Sequence, residues 1–238
     1  MRMKTLTDML SKGLSFYACL IITEGIYLCY PKYTMELNKI MQKGLNYFHI
    51  PYNEKTVNDL CFYALELKKW NSHINLTGLK ELNRIVSELL YDAFFLYGYT
   101  HEMKSVLDLG SGSGILAIPI AILNENSEII SLDKSLKKIQ FQRHIKRTMH
   151  LKNLTTLQGR AEALDPANVD ALIVKGFGSI ETILEKGGRH IRTGGCAYIL
   201  KGKSEDRIIY RGFELDHVTP YALPGSDREY RLFIYKKI

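Results

Sequence analysis

Residues 106–115 read Val-Leu-Asp-Leu-Gly-Ser-Gly-Ser-Gly-Ile, and this stretch constrains the fold more tightly than any other. An apolar run ends in an aspartate and passes directly into glycines at every second position. The pattern predicts a buried strand, a tight turn and a helix starting near Gly114, with the backbone open to a ligand because no Cβ intervenes. Short apolar runs recur at 129–132, 154–157, 171–174, 196–200 and 232–235, and helical stretches such as 114–123 and 136–149 lie between most of them. Buried parallel strands joined by crossover helices have this rhythm. The last pair, 213–218 and 230–235, is separated by a turn-rich segment with Pro220, Pro224 and Gly225. A hairpin there adds an antiparallel last strand to a mostly parallel sheet. The expected class is α/β, doubly wound.

Ahead of the sheet region the periodicity is helical. Thr56–Asn71 carries Val57, Leu60, Cys61, Ala64, Leu65 and Leu67 on one face, with Asn53 placed to cap it. Asn75-Leu76-Thr77-Gly78 breaks the helix, and a second runs over 81–97 through Leu82, Ile85, Val86, Leu89, Leu90, Ala93 and Phe94. Residues 35–100 are therefore expected to form a small helical cap, and 101–238 the sheet domain. Residues 14–30 are apolar and follow Arg2, Lys4 and Lys12, which superficially resembles an export signal. Glu24 and Gly25 interrupt the run, and it is short for a membrane span. Met35 opens a more conventional start, so residues 1–34 are expected to be a non-native extension; a hydrophobic helix is the alternative.

The glycine turn narrows the ligand. Dinucleotide sites favour G-x-G-x-x-G, which seats a pyrophosphate on a helix N-terminus. Here the third glycine falls one place early, and Asp108 stands just before the first pair. A carboxylate repels pyrophosphate but suits the cationic amino-acid end of S-adenosylmethionine. The next strand ends at Asp133, nineteen residues past Gly114, where a carboxylate can accept from both ribose hydroxyls. The third strand leads into Arg160-Ala161-Glu162, whose backbone would border an adenine. Gly110, Gly112, Gly114 and Ile115 complete the expected cofactor set. These features point to a class I S-adenosylmethionine-dependent methyltransferase fold.

What is missing narrows the chemistry further. Methylases of exocyclic amines commonly carry an Asn/Asp-Pro-Pro-aromatic turn after the fourth strand, where this chain has Val174-Lys175-Gly176-Phe177-Gly178. Pyrimidine C5 methylation needs a cysteine nucleophile. Cys196 is the only cysteine after the glycine turn, and it reads as a buried strand residue. A ring nitrogen with a free lone pair, such as guanine N7, needs neither device. The four cysteines, at 19, 29, 61 and 196, show no metal-binding or redox spacing and suit a reducing cytoplasm. With 32 Lys and Arg against 25 Asp and Glu, the net charge of +7 leans towards a polyanionic partner.

Several of these segments resemble one family. Lys69-Trp70-Asn71 followed by Ile74-Asn75-Leu76-Thr77 is similar to the signature of the bacterial RsmG (glucose-inhibited division protein B) family. The likeness continues through Asp92, 108–114, Ile118-Pro119, Asp133-Lys134-Ser135, Lys138, 160–162 and Leu200-Lys201-Gly202. The resemblance implies methylation of guanine N7 in the 530 loop of 16S ribosomal RNA, within the small subunit, by a cytoplasmic protein using S-adenosylmethionine. It implies cofactor contacts at Gly110, Ile115, Ala161 and Glu162, and at a basic residue after the fourth strand, which is arginine in the family and Lys175 here. Lys175 is accordingly expected to contact cofactor and to position the substrate. Lys201, Arg228 and Arg231 are expected along the RNA path.

Departures exist. The family's Arg-His pair in the second helix is Ser87-Glu88, and its Phe/Leu-Pro-Gly after the glycines is Ile115-Leu116-Ala117. A module that binds S-adenosylmethionine without catalysis, or a small-molecule methyltransferase, is the alternative. Trp70 reads as a packing residue. Lys137, Lys138, Arg143, Lys146, Arg147 and Lys152 read equally as a phosphate track or a solvated helix face. A monomer without metal or membrane association is expected.

Overall fold

The computed structural model describes residues 20–22, 25–27, 31–202 and 208–238. Strands β1 (Leu20–Ile22) and β2 (Gly25–Tyr27) pair antiparallel, so the described part of the apolar N-terminal run is strand and not helix. Cys19, Cys29 and the rest of residues 1–30 lie outside the described residues. The first helix, α1 (Pro31–Tyr47), passes through Met35, so the boundary expected there falls inside a helix. Leu37, Met41 and Leu45 follow the i, i+4, i+8 rule and are fully buried.

Helix α2 (Glu54–Ile74) starts where Asn53 predicts. The Asn53 side chain accepts from the Thr56 backbone N–H at 2.9 Å, and the Thr56 hydroxyl faces the Asn53 N–H in return, a capping box. The helix stops at Asn75, which takes the left-handed conformation at φ +50°. Asn71 then staples the following loop, donating to Leu79 O and accepting from Thr77 N, both at 2.8 Å. Helix α3 (Leu82–Ile85) continues through one π-helical turn, Val86–Leu90, into α4 (Tyr91–Thr100). The wide turn is closed by Tyr91 N donating to Val86 O, five residues back.

Strands β3 (Ser105–Leu109), β4 (Glu128–Asp133), β5 (Leu154–Gln158), β6 (Val169–Lys175) and β7 (Ile191–Gly202) are parallel. β8 (Phe213–Ala222) and β9 (Glu229–Lys237) form the closing hairpin, and β9 lies antiparallel against β7. The order is β5-β4-β3-β6-β7-β9-β8. Between the strands run α5 (Ala117–Leu123), α6 (Leu136–Thr148) and α7 (Ile180–Gly187). Pro119 sits in the first turn of α5, where its missing N–H has no intrahelical partner to lose.

Successive residues of β6 feed two cores. Ala171 and Ile173 join a cluster that also holds Leu45, Leu60, Phe94, Ile118 and Phe141, while Leu172 and Val174 pack with Ile183 and Leu184 of α7. The cap therefore shares one continuous core with one face of the sheet. Among the described residues no helix is long and apolar enough to cross a membrane.

Candidate active site

The five parallel strands end along one edge. Because the chain runs from β3 outward to β5 and then returns to β6 on the other side of β3, the crevice between β3 and β6 is the topological switch point where such sheets bind ligands. Asp108, Asp133 and Lys175 stand at three of these strand ends.

The glycine turn leaves β3 with Gly110 N and Ser111 N both donating to Leu132 O, at 2.8 and 3.0 Å. Gly110 has φ +69°, and a Cβ there would collide with the Phe177 ring. Glycine is thus required both by the backbone and by the close approach of the loop after β6. At Gly112 the opposite holds. A Cβ would meet only the Lys138 ammonium, at 3.8 Å, so the turn has an open side.

Gln142 on α6 braces this turn from below and is fully buried. Its Nε2 donates to Gly112 O at 2.7 Å and to Ser111 Oγ at 2.9 Å, and its Oε1 accepts from Ser131 Oγ. From the cap, the Tyr63 hydroxyl donates to Ser113 O at 3.1 Å. The Ser113 hydroxyl is buried and has no hydrogen-bond partner among the described residues.

The two aspartates differ. Asp133 is 9% exposed; it accepts from Gly112 N at 2.9 Å and Ser135 N at 2.7 Å, one bond to each oxygen. Each oxygen keeps a lone pair for a further donor. Asp108 is 2% exposed and accepts from Ala117 N at 3.1 Å. Burial pushes its carboxyl up to about 7, the Ala117 N–H opposes this, and the Asp133 charge adds to it.

The turn after β5 is held by a pair not singled out in the sequence. Ala167 N donates to His190 Nδ1 at 3.3 Å, which leaves the proton on Nε2 to be donated to Ala161 O at 2.9 Å. Arg189 donates to Glu162 O at 3.1 Å. Glu162 is exposed, and its carboxyl is lowered first by its own backbone N–H, then by Lys186 and Arg160.

At the end of β6 the Lys175 ammonium pairs with Asp92 of α4 and donates to Glu88 O at 3.0 Å. Asp92 is 1% exposed, and its other oxygen accepts from the Tyr221 hydroxyl at 2.7 Å. Glu88 is bound by Arg84 at 2.6 Å and lies 3.9 Å from Arg228. Lys201 donates to Gly178 O in the loop after β6. The register sets Lys201 opposite Arg231 and Tyr221 opposite Tyr230, so the basic residues named from the sequence gather at this same edge.

A family model described as "rRNA small subunit methyltransferase G", GidB, matches residues 56–220. The chain belongs to this family. The ribosomal RNA small subunit methyltransferase G of Legionella pneumophila, strain Philadelphia 1, is 28% identical over 196 residues, 82% of this chain and 92% of that protein. That of Azoarcus sp. strain BH72 is 31% identical over 172 residues, 71% of this chain and 81% of that protein. Among solved structures, M. jannaschii TYW2 in complex with AdoMet has a TM-score of 0.53 at 12% identity, over 70% of this chain and 80% of that one. A SAM-dependent methyltransferase from Aquifex aeolicus has a TM-score of 0.51 at 15% identity, over 72% and 97%. These likenesses carry the fold, which is that of a class I methyltransferase.

With the family in place, the expected residues sort by geometry. Gly110, Gly112, Gly114 and Ile115 lie between β3 and α5, Asp108, Asp133 and Lys175 stand at strand ends, and Ala161 and Glu162 follow β5. Lys175 and Arg228 meet carboxylates of the cap, and Lys201 meets a backbone carbonyl. Cys196 lies on β7 but is half-buried, not buried, and burial raises its thiol. Trp70 packs between Phe141 and His144, with ring centroids 5.5 and 5.0 Å away. Gln142, Arg189 and His190 gave no sequence signal. Asp92 entered only as one position of the family resemblance, with no role attached.

Proposed function

We propose that this protein methylates guanine N7 in 16S ribosomal RNA, in the 530-loop region of the small subunit, with S-adenosylmethionine. The observation that carries the reading is a cradle suited to that cofactor in a chain of this family. Its open side at Gly112 is flanked by two carboxylates and faces no protein atom nearer than the Lys138 ammonium. The orphaned Ser113 hydroxyl is a polar group awaiting a ligand, because buried hydroxyls in folded proteins are nearly always paired. Asp133 has acceptors left for ribose hydroxyls, Asp108 a carboxylate for the cationic amino-acid end, and 161–162 backbone groups for adenine.

When bound, the cofactor supplies an electrophilic methyl group. Guanine N7 carries its own lone pair, so no residue of this chain needs to remove a proton. The task left to the protein is alignment of nucleophile and methyl, which alone can supply several kcal/mol of rate acceleration. Lys175, Lys201, Arg228 and Arg231 would take phosphate or guanine O6, a reading supported by the pairing of Lys201 with Arg231 and the shared approach of Lys175 and Arg228 to Glu88. We assign the helices from α1 to α4 as a cap over this edge.

Mass spectrometry of ribosomal RNA from a deletion strain tests the reading. Loss of one 7-methylguanosine from 16S RNA, restored by the gene, is the expected result. Unchanged 7-methylguanosine would refute it, and loss of a different methylated nucleoside would move the activity to another acceptor.

A further inference from the structure

The cluster around Lys175 contains a buried carboxylate that alignment of cofactor and guanine does not require. Asp92 is withdrawn from water on α4, and it ties together three elements far apart in the chain: its own helix, the end of β6 through Lys175, and β8 through Tyr221. Stability is a poor reason for it, since apolar residues of similar volume usually hold a buried contact at least as well as an ion pair. We propose that Asp92, supported by Tyr221, is a positioning residue for methyl transfer that acts through Lys175 by cancelling its charge and fixing its direction. The proposal rests on the guanine-N7 reading.

The chemistry of that reaction supplies the reason. Transfer moves one positive charge from the cofactor's sulfonium, which ends as a neutral thioether, to guanine, which starts neutral and ends cationic. An uncompensated ammonium at the end of β6, on the guanine side in that reading, would oppose this movement. With Asp92 in contact the pair is neutral overall, and the barrier escapes that repulsion. An ammonium has three N–H donors. The Glu88 carbonyl, presented by the π-helical turn at 86–90, takes one, while Asp92 meets the ammonium as an ion pair. The ammonium held in this direction can donate to a guanine oxygen or a phosphate. Of the groups packed around the pair, Glu88 is held ionised by Arg84, with lesser help from Arg228 and Lys175, and the Tyr221 hydroxyl is kept protonated by burial and the Asp92 charge.

Asp92→Asn tests this in single-turnover assays with unmethylated small subunits and labelled S-adenosylmethionine. The parent protein must first yield 7-methylguanosine; if it does not, the guanine-N7 reading fails before the present one is tested. Asp92→Asn should lower the methylation rate by about tenfold or more while the half-saturating subunit concentration stays level or falls, because the variant gains positive charge towards RNA. Asp92→Asn/Lys175→Met should be faster than Asp92→Asn alone. A rate loss that multiplies between the two sites, a parent-like rate in Asp92→Asn, or an effect confined to subunit affinity would each overturn the proposal. Should Asp92→Asn not fold, Tyr221→Phe carries the test: it should slow methylation severalfold at unchanged subunit affinity, and an unchanged rate would refute Tyr221's part and leave Asp92 as a mere clamp.

Discussion

Asp108 is buried at the end of β3 with one backbone donor, and burial disfavours its ionised form. The folded carboxyl is raised to about 7 from an ordinary 3.8, so between those values the folded protein holds more proton than the unfolded chain. Stability from this group is therefore full below about 4 and is lost as pH rises to about 7. A shift of about three units corresponds to roughly 4 kcal/mol as an upper figure. Asp108→Asn keeps an acceptor for Ala117 N and removes the buried charge. The ligand-free variant should melt several degrees above the parent at pH 8 and lose that advantage at pH 4, while binding S-adenosylmethionine at least tenfold more weakly. Thermal melts at both pH values and calorimetry check this; a variant that melts lower at pH 8 would show that Asp108 is stabilised by contacts stronger than its burial.

At the scale of elements, most of the site is held by parts that carry none of the chemistry. Helix α6 reaches under the glycine turn with Gln142, and the 3-10 turn at 188–190 holds the 161–162 backbone with Arg189 and His190. Gln142→Leu keeps the volume roughly and strands Gly112 O, Ser111 Oγ and Ser131 Oγ. Two or three unpaired buried groups at about 1 kcal/mol or more each should lower the melting temperature and weaken cofactor binding about tenfold. Unchanged binding in calorimetry would mean that the turn holds its shape without the brace. The family's most specific sequence element, Lys69-Trp70-Asn71 with Asn75-Leu76-Thr77, serves a turn as well: Asn75 supplies the left-handed cap and Asn71 the staple. Asn71→Ala should cost on the order of 1–2 kcal/mol in chemical denaturation, the usual effect of losing local caps. A shift below a few tenths would show that water replaces the staple. Strand ends were less legible than strand centres. β7 begins at Ile191, five residues before its apolar run, because Arg192–Gly195 are polar yet lie opposite the register shift between Val169 and Ala171. The π-helical turn has no signature, since its residues fit an ordinary helix equally well.

Over the whole molecule, the cap and the sheet share apolar neighbours, which decides how the protein unfolds. Leu45 of α1 and Ile173 of β6 belong to one buried cluster. Leu45→Ala should cost about 2–5 kcal/mol and lower a single melting transition monitored by both circular dichroism and cofactor fluorescence displacement. Two separated transitions would show that the cap opens independently of the sheet. The net charge of +7 should make binding to the small subunit fall steeply with salt, in proportion to the phosphates contacted.

Local chemistry settled a great deal before any contact was known. Alternating apolar runs require buried strands, Gly110 and Gly112 require an open turn, and Asn53 with Thr56 requires a helix start, because each depends on neighbours within a few residues. The two carboxylates at strand ends were readable for the same reason. What each charge meets was not. Lys175 reads as a basic residue of the active-site edge, yet 83 residues separate it from Asp92 and 129 separate Asp92 from Tyr221. Only the packing of cap, sheet and hairpin brings an ammonium, a carboxylate and a phenol together, and the burial of the carboxylate is what makes its two partners matter.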